Sequence, residues 1–427
     1  MKDRNKMTEQ TQNVEYVTQA LKAASIVDDI PADTRRIPIL KVGIIGAGTM
    51  GGGIAMNFAN IGMPVHIIET RQDALDRGLS VIRGNYERSA KRGRFPMEEV
   101  DVRMSRITHS LDPSDLADCD IVIEAVFEDL ELKKSIFTKL DTIVKKGAIL
   151  ASNTSGLDVN QIAAVTSRPE SVIGLHFFSP ANVMKLLEIV RGDKTSHAVI
   201  ATSLELAERI GKIAVVVGVC PGFVGNRMLY PRQLQAAELL AKGAMPWDVD
   251  RVLRDFGFKM GPFEMSDLAG LDIGWVPGEG DPLRDALCKL DRRGQKTGRG
   301  YYDYDENRTA TPSNEVAALI AQTLDVAANG APPTDVEILE TCLFPMINEG
   351  AKILEEKIAQ RPSDIDVVWM FGYNWPQNTG GPMRWADQVG LDRIAQKATE
   401  LGAENSWYAP APLLTRLVSE NKIFADL

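Results

Sequence analysis

Residues 41–55 read K-V-G-I-I-G-A-G-T-M-G-G-G-I-A, and no other stretch limits the possible folds as tightly. An apolar run over residues 39–45 has the character of a buried parallel strand. It enters Gly46-x-Gly48-x-x-Gly51 directly, and helical spacing follows at Ile54, Phe58 and Ile61. The glycines have separate tasks. Gly46 permits the tight strand-to-helix turn, Gly48 keeps side-chain atoms away from a pyrophosphate, and Gly51 lets the helix lie close on the sheet. The helix N-terminus then presents N–H groups and a positive dipole end to phosphate. A second strand over residues 64–68 ends at Glu69, twenty-three residues past Gly46. A carboxylate there takes both ribose hydroxyls and repels a 2′-phosphate, which favours NAD over NADP, although Arg71 stands close enough to soften the preference. His66, inside that strand, reads as a packed histidine.

The α/β rhythm continues. Strands are expected over residues 120–126, 147–152, 172–177 and 183–190, with a helix over 130–144. Alternation of this kind predicts a mostly parallel, doubly wound sheet. Ligands bind such sheets beyond the carboxyl ends of the strands. That directs attention to residues 127–129, to residues 152–155 and to the chain after His176.

Size and composition set the outer limits. A chain of 427 residues is about three units at roughly 150 residues each. With 44% apolar and 25% charged residues, it has the balance of a soluble globular protein. A net charge of −10 argues against a nucleic-acid partner. The four cysteines include no C-x-x-C pair, and four histidines are too few for a histidine-rich site, so no disulfide or metal is expected. Residues 1–13 are polar and mixed in charge, unlike a signal peptide, and residues 14–27 suit a short amphipathic helix acting as a packing arm or linker. No apolar run is long enough for membrane insertion, and the last four residues are not a Ser-Lys-Leu type address, which makes the cytoplasm the default location.

Three clusters carry possible chemistry. Asn153, Thr154 and Ser155 follow a strand directly and point at the crevice, although one of them could cap a helix starting near Leu157. In residues 175–188, Ser-Pro-Ala-Asn is a turn signal between two apolar runs. If those runs pair as antiparallel neighbours about Asn182, His176 faces Glu188. A histidine held by a carboxylate is a tuned general base, because the anion fixes the tautomer and stabilises the imidazolium. A half-buried structural pair is the alternative. The third cluster is residues 221–227, where Pro-Gly breaks the chain and Asn226 opens a long helix; its amide could reach the crevice or act as an N-cap.

Together these residues resemble the L-3-hydroxyacyl-CoA dehydrogenases, in particular the dehydrogenase half of the multifunctional β-oxidation enzymes. The shared motifs are the G-x-G-x-M-G turn, E-A-V-x-E at residues 124–128, S-N-T-S at 152–155 and G-x-H-F-F-x-P at 174–180. P-G-F-x-x-N-R at 221–227, G-P-F-x-x-x-D-x-x-G-L-D at 261–272 and K-T-G-x-G-x-Y at 296–302 complete the set. The resemblance implies NAD-dependent oxidation of a 3-hydroxyacyl-CoA, with His176 as base and Glu188 as its partner. It places Ser155 on the substrate 3-hydroxyl and makes Asn226 the residue that orients the substrate. Around the cofactor it puts Gly46, Gly48, Thr49, Met50, Gly51, Glu69, Ala125, Val126, Glu128, Lys133, Asn153 and Lys296. Arg92 is a candidate for the CoA phosphates, or part of a solvated basic face. Readings that remain beside this one are a non-catalytic NAD-binding structural protein, and a dehydrogenase for another 3-hydroxy acid or for an aromatic or dicarboxylic acyl-CoA.

An internal repeat extends the resemblance to the C-terminus. Gly261-Pro262-Phe263 and Gly270-Leu271-Asp272 recur as Gly381-Pro382-Met383 and Gly390-Leu391-Asp392. The expected architecture is an α/β Rossmann-type dinucleotide-binding domain followed by two similar all-α domains. Its boundaries are a leader over residues 1–36, the nucleotide domain over 37–219, and helical domains over 220–325 and 326–427, joined through the Ala-rich stretch 317–333. The second copy lacks the Asn-Arg start and reads as structural. Two copies in one chain imply a monomer built as an internal pseudo-dimer, or a homodimer, with a separate enoyl-CoA hydratase or thiolase as possible partner.

Overall fold

The computed structural model describes residues 2–324 and 331–427, with side chains from residue 11 onward. Part of the Ala-rich joining stretch, residues 325–330, lies outside the described residues. The chain forms two compact units, Met1–Asn226 with Ile353–Tyr373, and Arg227–Lys352 with Asn374–Leu427. This division crosses the sequence repeat, because a piece of the second helical copy goes with the nucleotide unit.

The first unit is built on eight strands, β1 (Val42–Ile45), β2 (Val65–Ile68), β3 (Ile107–Ser110), β4 (Ile121–Glu124), β5 (Ile149–Ser152), β6 (Val172–Phe177), β7 (Leu186–Val190) and β8 (Ile213–Val217). Their order is β3-β2-β1-β4-β5-β6-β7-β8, with every neighbour parallel except the antiparallel pair β6–β7. The chain leaves β1 for β2 on one side and returns to β4 on the other, so the switch point falls at the end of β1, beside the glycine turn. Helices α1 (Lys2–Ala24), α2 (Thr49–Asn60), α3 (Gln72–Lys91), α4 (Glu98–Ser105), α5 (Leu130–Ile143), α6 (Val159–Ala163) and α7 (His197–Arg209) accompany the sheet. A core including Ile44, Ile54, Phe58, Ile67, Ile123 and Ile173 is closed to solvent.

All the expected strands are present, most of them shorter than the apolar runs that announce them. The sequence reading has neither β3 nor β8. β3 is an edge strand, I-T-H-S, with Thr108 and His109 exposed, so it carries no apolar run. β8, I-A-V-V-V, is as apolar as its neighbours and lies just before the Pro-Gly break. His66 is the packed histidine expected. Its Nδ1 lies 2.8 Å from Thr108 Oγ1 and its Nε2 3.2 Å from Ser110 Oγ, and burial pushes its pKa down.

The helical copies run as α8 (Gly225–Ala241), α9 (Pro246–Phe256), α10 (Pro262–Ala269) and α11 (Pro282–Lys289), then the strands β9 (Tyr302–Tyr304) and β10 (Ala310–Pro312) and helix α12 (Asn314–Thr323). The second copy follows as α13 (Asp335–Glu355), α14 (Pro362–Gly372), α15 (Pro382–Val389), α16 (Leu391–Glu404) and α17 (Pro412–Ser419). The repeat is visible in the backbone. α8 and α13 each hold an interior proline, Pro231 and Pro345. α10 ends on Gly270 at φ 107°, ψ 122°, and α15 on Gly390 at φ 105°, ψ 120°, a left-side conformation open to glycine. The first copy is not purely helical, because β9 and β10 form a small antiparallel hairpin within it.

That hairpin explains the leader. In the first copy the buried Asp250 accepts a hydrogen bond at 2.8 Å from Tyr302 OH, on β9. The matching Asp366, on α14, accepts one at 2.5 Å from Tyr16 OH, on α1. α1 is much longer than the expected short helix, because its first residues carry no apolar stripe to announce it. It packs along α14, and Arg361 donates to the carbonyls of Ala23 and Ile26 at its C-terminal end and to Asp28. Asp29 then forms a two-pronged pair with Arg191, at 2.9 and 3.0 Å. We expect Tyr16→Phe to lower stability by about 1 kcal/mol, the usual net worth of one hydrogen bond, read as a lower urea midpoint at constant m-value.

Candidate functional site

The nucleotide turn is shaped by contacts that exclude side chains. Gly46 sits at φ 101°, and a Cβ there would stand 2.8 Å from Ala125 O. A Cβ on Gly51 would stand 1.9 Å from Gly46 O. Gly48 differs: a Cβ there would meet nothing within 4 Å, so its absence leaves room for a ligand. No side chain caps the first turn of α2, whose positive end is left to an anion. The half-buried Glu69 holds one carboxylate oxygen 3.2 Å from Ala47 N and the other 2.7 Å from Thr70 N, which sets it over the turn.

A cavity of about 580 Å³ opens here, and Gly46, Gly48, Thr49, Met50, Glu69, Ala125 and Val126 all line it. Ile136 and Lys139 of α5 also line it, and the sequence reading has neither. They are reached through the crossover, because the helix after β4 lays one face beside the switch point.

Next to this cavity lies a chain of acids. Glu124 is fully buried and accepts from Lys133 Nζ at 2.7 and 2.9 Å, from Ser152 Oγ at 2.7 Å and from Val126 N at 2.7 Å. Lys133 is equally buried, and its ammonium also lies 3.6 Å from Glu128. Glu128 accepts from Thr154 Oγ1 at 2.7 Å, from Ser155 N at 2.7 Å and from Ser155 Oγ at 2.9 Å. Partial burial works against its charge, yet these hydrogen bonds and the Lys133 ammonium outweigh it and hold its carboxyl below the usual glutamate range. Asn153 accepts from Phe177 N at 3.0 Å through Oδ1, tying the end of β5 to β6. The capping alternative is met in part: Thr154 Oγ1 accepts from Leu157 N at 2.9 Å, while Asp158 caps α6.

The antiparallel register of β6 and β7 pairs His176 with Glu188, as the turn signal predicts. Directly opposite residues present their side chains on the same face. His176 Nδ1 is 2.7 Å from Glu188 Oε2, and both side chains are buried. With the carboxylate on Nδ1, the neutral ring carries its proton there and leaves Nε2 as the basic nitrogen. Oε1 of Glu188 accepts from Val224 N at 3.3 Å and Gly225 N at 3.0 Å, where α8 begins, a contact with no side-chain signature in the sequence. Phe178 and Phe223 wall the ring, with centroids at 4.5 and 5.7 Å. Asn226 lies within the first turn of α8 and is not its cap; its Nδ2 donates to Ser155 O at 3.1 Å and its Oδ1 accepts from Tyr373 OH at 2.7 Å. Ser155 and Asn226 are thus brought together.

Arg92 and Lys296 are the other two residues that the sequence points to. Arg92 caps the end of α3 and is exposed. Lys296 belongs to the second unit, where it is half-exposed and paired with Asp272. The lowered Glu128 carboxyl has a consequence for stability. Its contribution is present above about pH 4.5, the ordinary glutamate value, and is lost as pH falls through the lowered folded value. We expect the melting temperature of Glu128→Gln to lie below wild type at pH 7 and the gap to close on acidification below pH 4.5, measured by thermal denaturation.

Residues 41–220 match the family described as 3-hydroxyacyl-CoA dehydrogenase, NAD binding domain, and residues 222–304 and 338–424 match 3-hydroxyacyl-CoA dehydrogenase, C-terminal domain. The chain is 44% identical over 413 residues to the peroxisomal bifunctional enzyme of Danio rerio, covering 89% of this chain and 56% of that one. It therefore spans about half the length of the curated relatives it matches. Among solved structures it is similar to 3-hydroxybutyryl-CoA dehydrogenase from Escherichia coli, with TM-score 0.76, 28% identity, and 90% of this chain and 99% of that one covered. It is similar also to the dehydrogenase part of multifunctional enzyme 1 from C. elegans, with TM-score 0.69, 31% identity, and coverage of 94% and 96%. No helix among the described residues is long and apolar enough to cross a membrane.

Proposed function

The chain belongs to the 3-hydroxyacyl-CoA dehydrogenase family, and on that premise we propose that it oxidises an L-3-hydroxyacyl-CoA to the 3-ketoacyl-CoA with NAD. The observation that carries the reading is the buried 2.7 Å pair of His176 and Glu188, set in the same sheet as the glycine turn. The residues at the turn fit a dinucleotide: open space at Gly48, an uncapped helix start, and the Glu69 carboxylate for the adenosine ribose. NAD, when bound, supplies the acceptor for the hydride that C3 gives up. His176 Nε2 takes the 3-hydroxyl proton as the carbonyl forms. Glu188 keeps the ring in the correct tautomer and offsets the imidazolium charge. Ser155 and Asn226 hold the oxygen that loses the proton, and Glu128 fixes Ser155 through its hydroxyl and backbone N–H. Lys133, Asn153 and Lys296 take their places around the cofactor in this reading, and Arg92 meets the CoA phosphates.

The leader, nucleotide domain and two helical copies form one catalytic chain, acting as a monomer with an internal pseudo-dimer or as a homodimer, and served by a separate hydratase or thiolase. We place it in the cytoplasm; co-fractionation with a peroxisomal matrix marker would move it to the compartment named in several of its relatives.

Purified protein should form NADH with L-3-hydroxyacyl-CoA, and a panel of chain lengths reads the substrate class. His176→Ala should lower kcat by about a hundred- to ten-thousandfold, the usual worth of a general base. Glu188→Gln should lower kcat while the KM for NAD stays near wild type. Absence of NADH with every acyl-CoA in the panel would falsify the reading.

A further inference from the structure

We infer that Tyr373, contributed by the second helical copy, is a positioning residue for this reaction, acting through Asn226. The inference deepens the proposed function and rests on it. Tyr373 is the C-cap of α14, where the first copy has Gly257 as the C-cap of α9. The tyrosine therefore brings to the second copy a side chain that the first copy does not have at that place.

Four observations converge on it. Its hydroxyl donates to Asn226 Oδ1 at 2.7 Å, while Asn226 Nδ2 donates to Ser155 O at 3.1 Å. A carbonyl oxygen accepts and cannot donate, so the two contacts together allow one orientation of the amide. An amide nitrogen carries two hydrogens; with one on Ser155 O, the other is aimed by Tyr373 for a substrate oxygen. Second, the ring stacks on the buried Trp369, with centroids 4.5 Å apart and planes at 27°, so it is held from behind. Third, it meets Phe178 edge-on at 5.5 Å, and Phe178 lies 4.5 Å from the His176 ring. Fourth, the ring occupies the space of a missing side chain: a Cβ on Gly225 would stand 2.5 Å from Tyr373 Cε2. Gly225 is also the residue whose N–H holds Glu188. Tyr373 thus touches the Asn226 side of the site directly and the His176–Glu188 side through Phe178 and Gly225.

The test is a double-mutant cycle on the full chain. Tyr373→Phe keeps the ring and removes the hydroxyl. It should lower kcat/KM for the acyl-CoA by about three- to thirtyfold, as expected for one lost polar contact. The KM for NAD should remain at the wild-type value, and the melting temperature should fall by no more than about a few degrees. In an Asn226→Ala background the same substitution should change kcat/KM by less than about twofold, because its route of action is gone. Gly225→Ala, which drives the ring away from Asn226 by a different means, should reproduce the acyl-CoA defect. A Tyr373→Phe enzyme at the wild-type rate, or an equal loss with and without Asn226, overturns the inference while wild-type turnover leaves the reaction standing. A wild-type protein without turnover overturns both.

Discussion

Glu188 is a carboxylate with no exposed surface, and much of the first unit is arranged to make that tolerable. An isolated buried charge costs many kcal/mol unless partners compensate it. One oxygen lies against His176, across the antiparallel β6–β7 pair, and the other collects two backbone N–H groups at the start of α8. Three elements must therefore arrive in register before the charge is satisfied: the reversed strand β7, the turn that ends at Val224, and the start of α8. The reversal of β7 in an otherwise parallel sheet is what puts a histidine and a glutamate on one face at hydrogen-bond distance.

A second buried acid uses the same logic for a different purpose. Glu124 ends β4 and is neutralised by Lys133 from α5, with Ser152 and Val126 satisfying its remaining lone pairs. The pair locks the helix to the sheet just behind the cofactor cavity. Lys133 also leans on Glu128, whose other partners are the hydroxyls of Thr154 and Ser155 and the Ser155 N–H. A lysine closed to solvent can in this way orient a serine it does not touch. In a chain carrying −10, local cations of this kind are what keep neighbouring acids from repelling one another at the crevice.

The sequence carries the parts of this site that depend on local rules. The Ser-Pro-Ala-Asn turn between two apolar runs fixes the pairing of His176 with Glu188, because a turn and the two-residue period of a strand leave little freedom. The glycine spacing places Glu69 over the turn for a similar reason. Where the partners are backbone groups, or residues far along the chain, the sequence is silent. Nothing near Glu188 announces Val224 N and Gly225 N, which lie more than thirty residues away. β3 escapes because an exposed edge has no apolar run, and the length of α1 because its first half has no apolar stripe. Tyr373 lies 147 residues from Asn226, in a segment whose missing Asn-Arg start makes it read as mere scaffold.

Duplication explains why that scaffold could acquire a role. Both copies bury an aspartate at the same place in the repeat, and each accepts a hydrogen bond from a phenol. The first draws Tyr302 from its own hairpin; the second draws Tyr16 from the N-terminal helix, which belongs to the first unit. With its aspartate served from outside, α14 is held by the leader and by Arg361 at the end of α1, and its far end lies against β7 through Gly372 and Leu186. A helix anchored at both ends fixes its C-cap residue in space. Glycine there, as at Gly257, would end the helix and do nothing more, whereas a tyrosine at the same position extends a rigid donor to Asn226. The second copy can then differ from the first by one side chain at a helix end and, through it, set the orientation of the Asn226 amide.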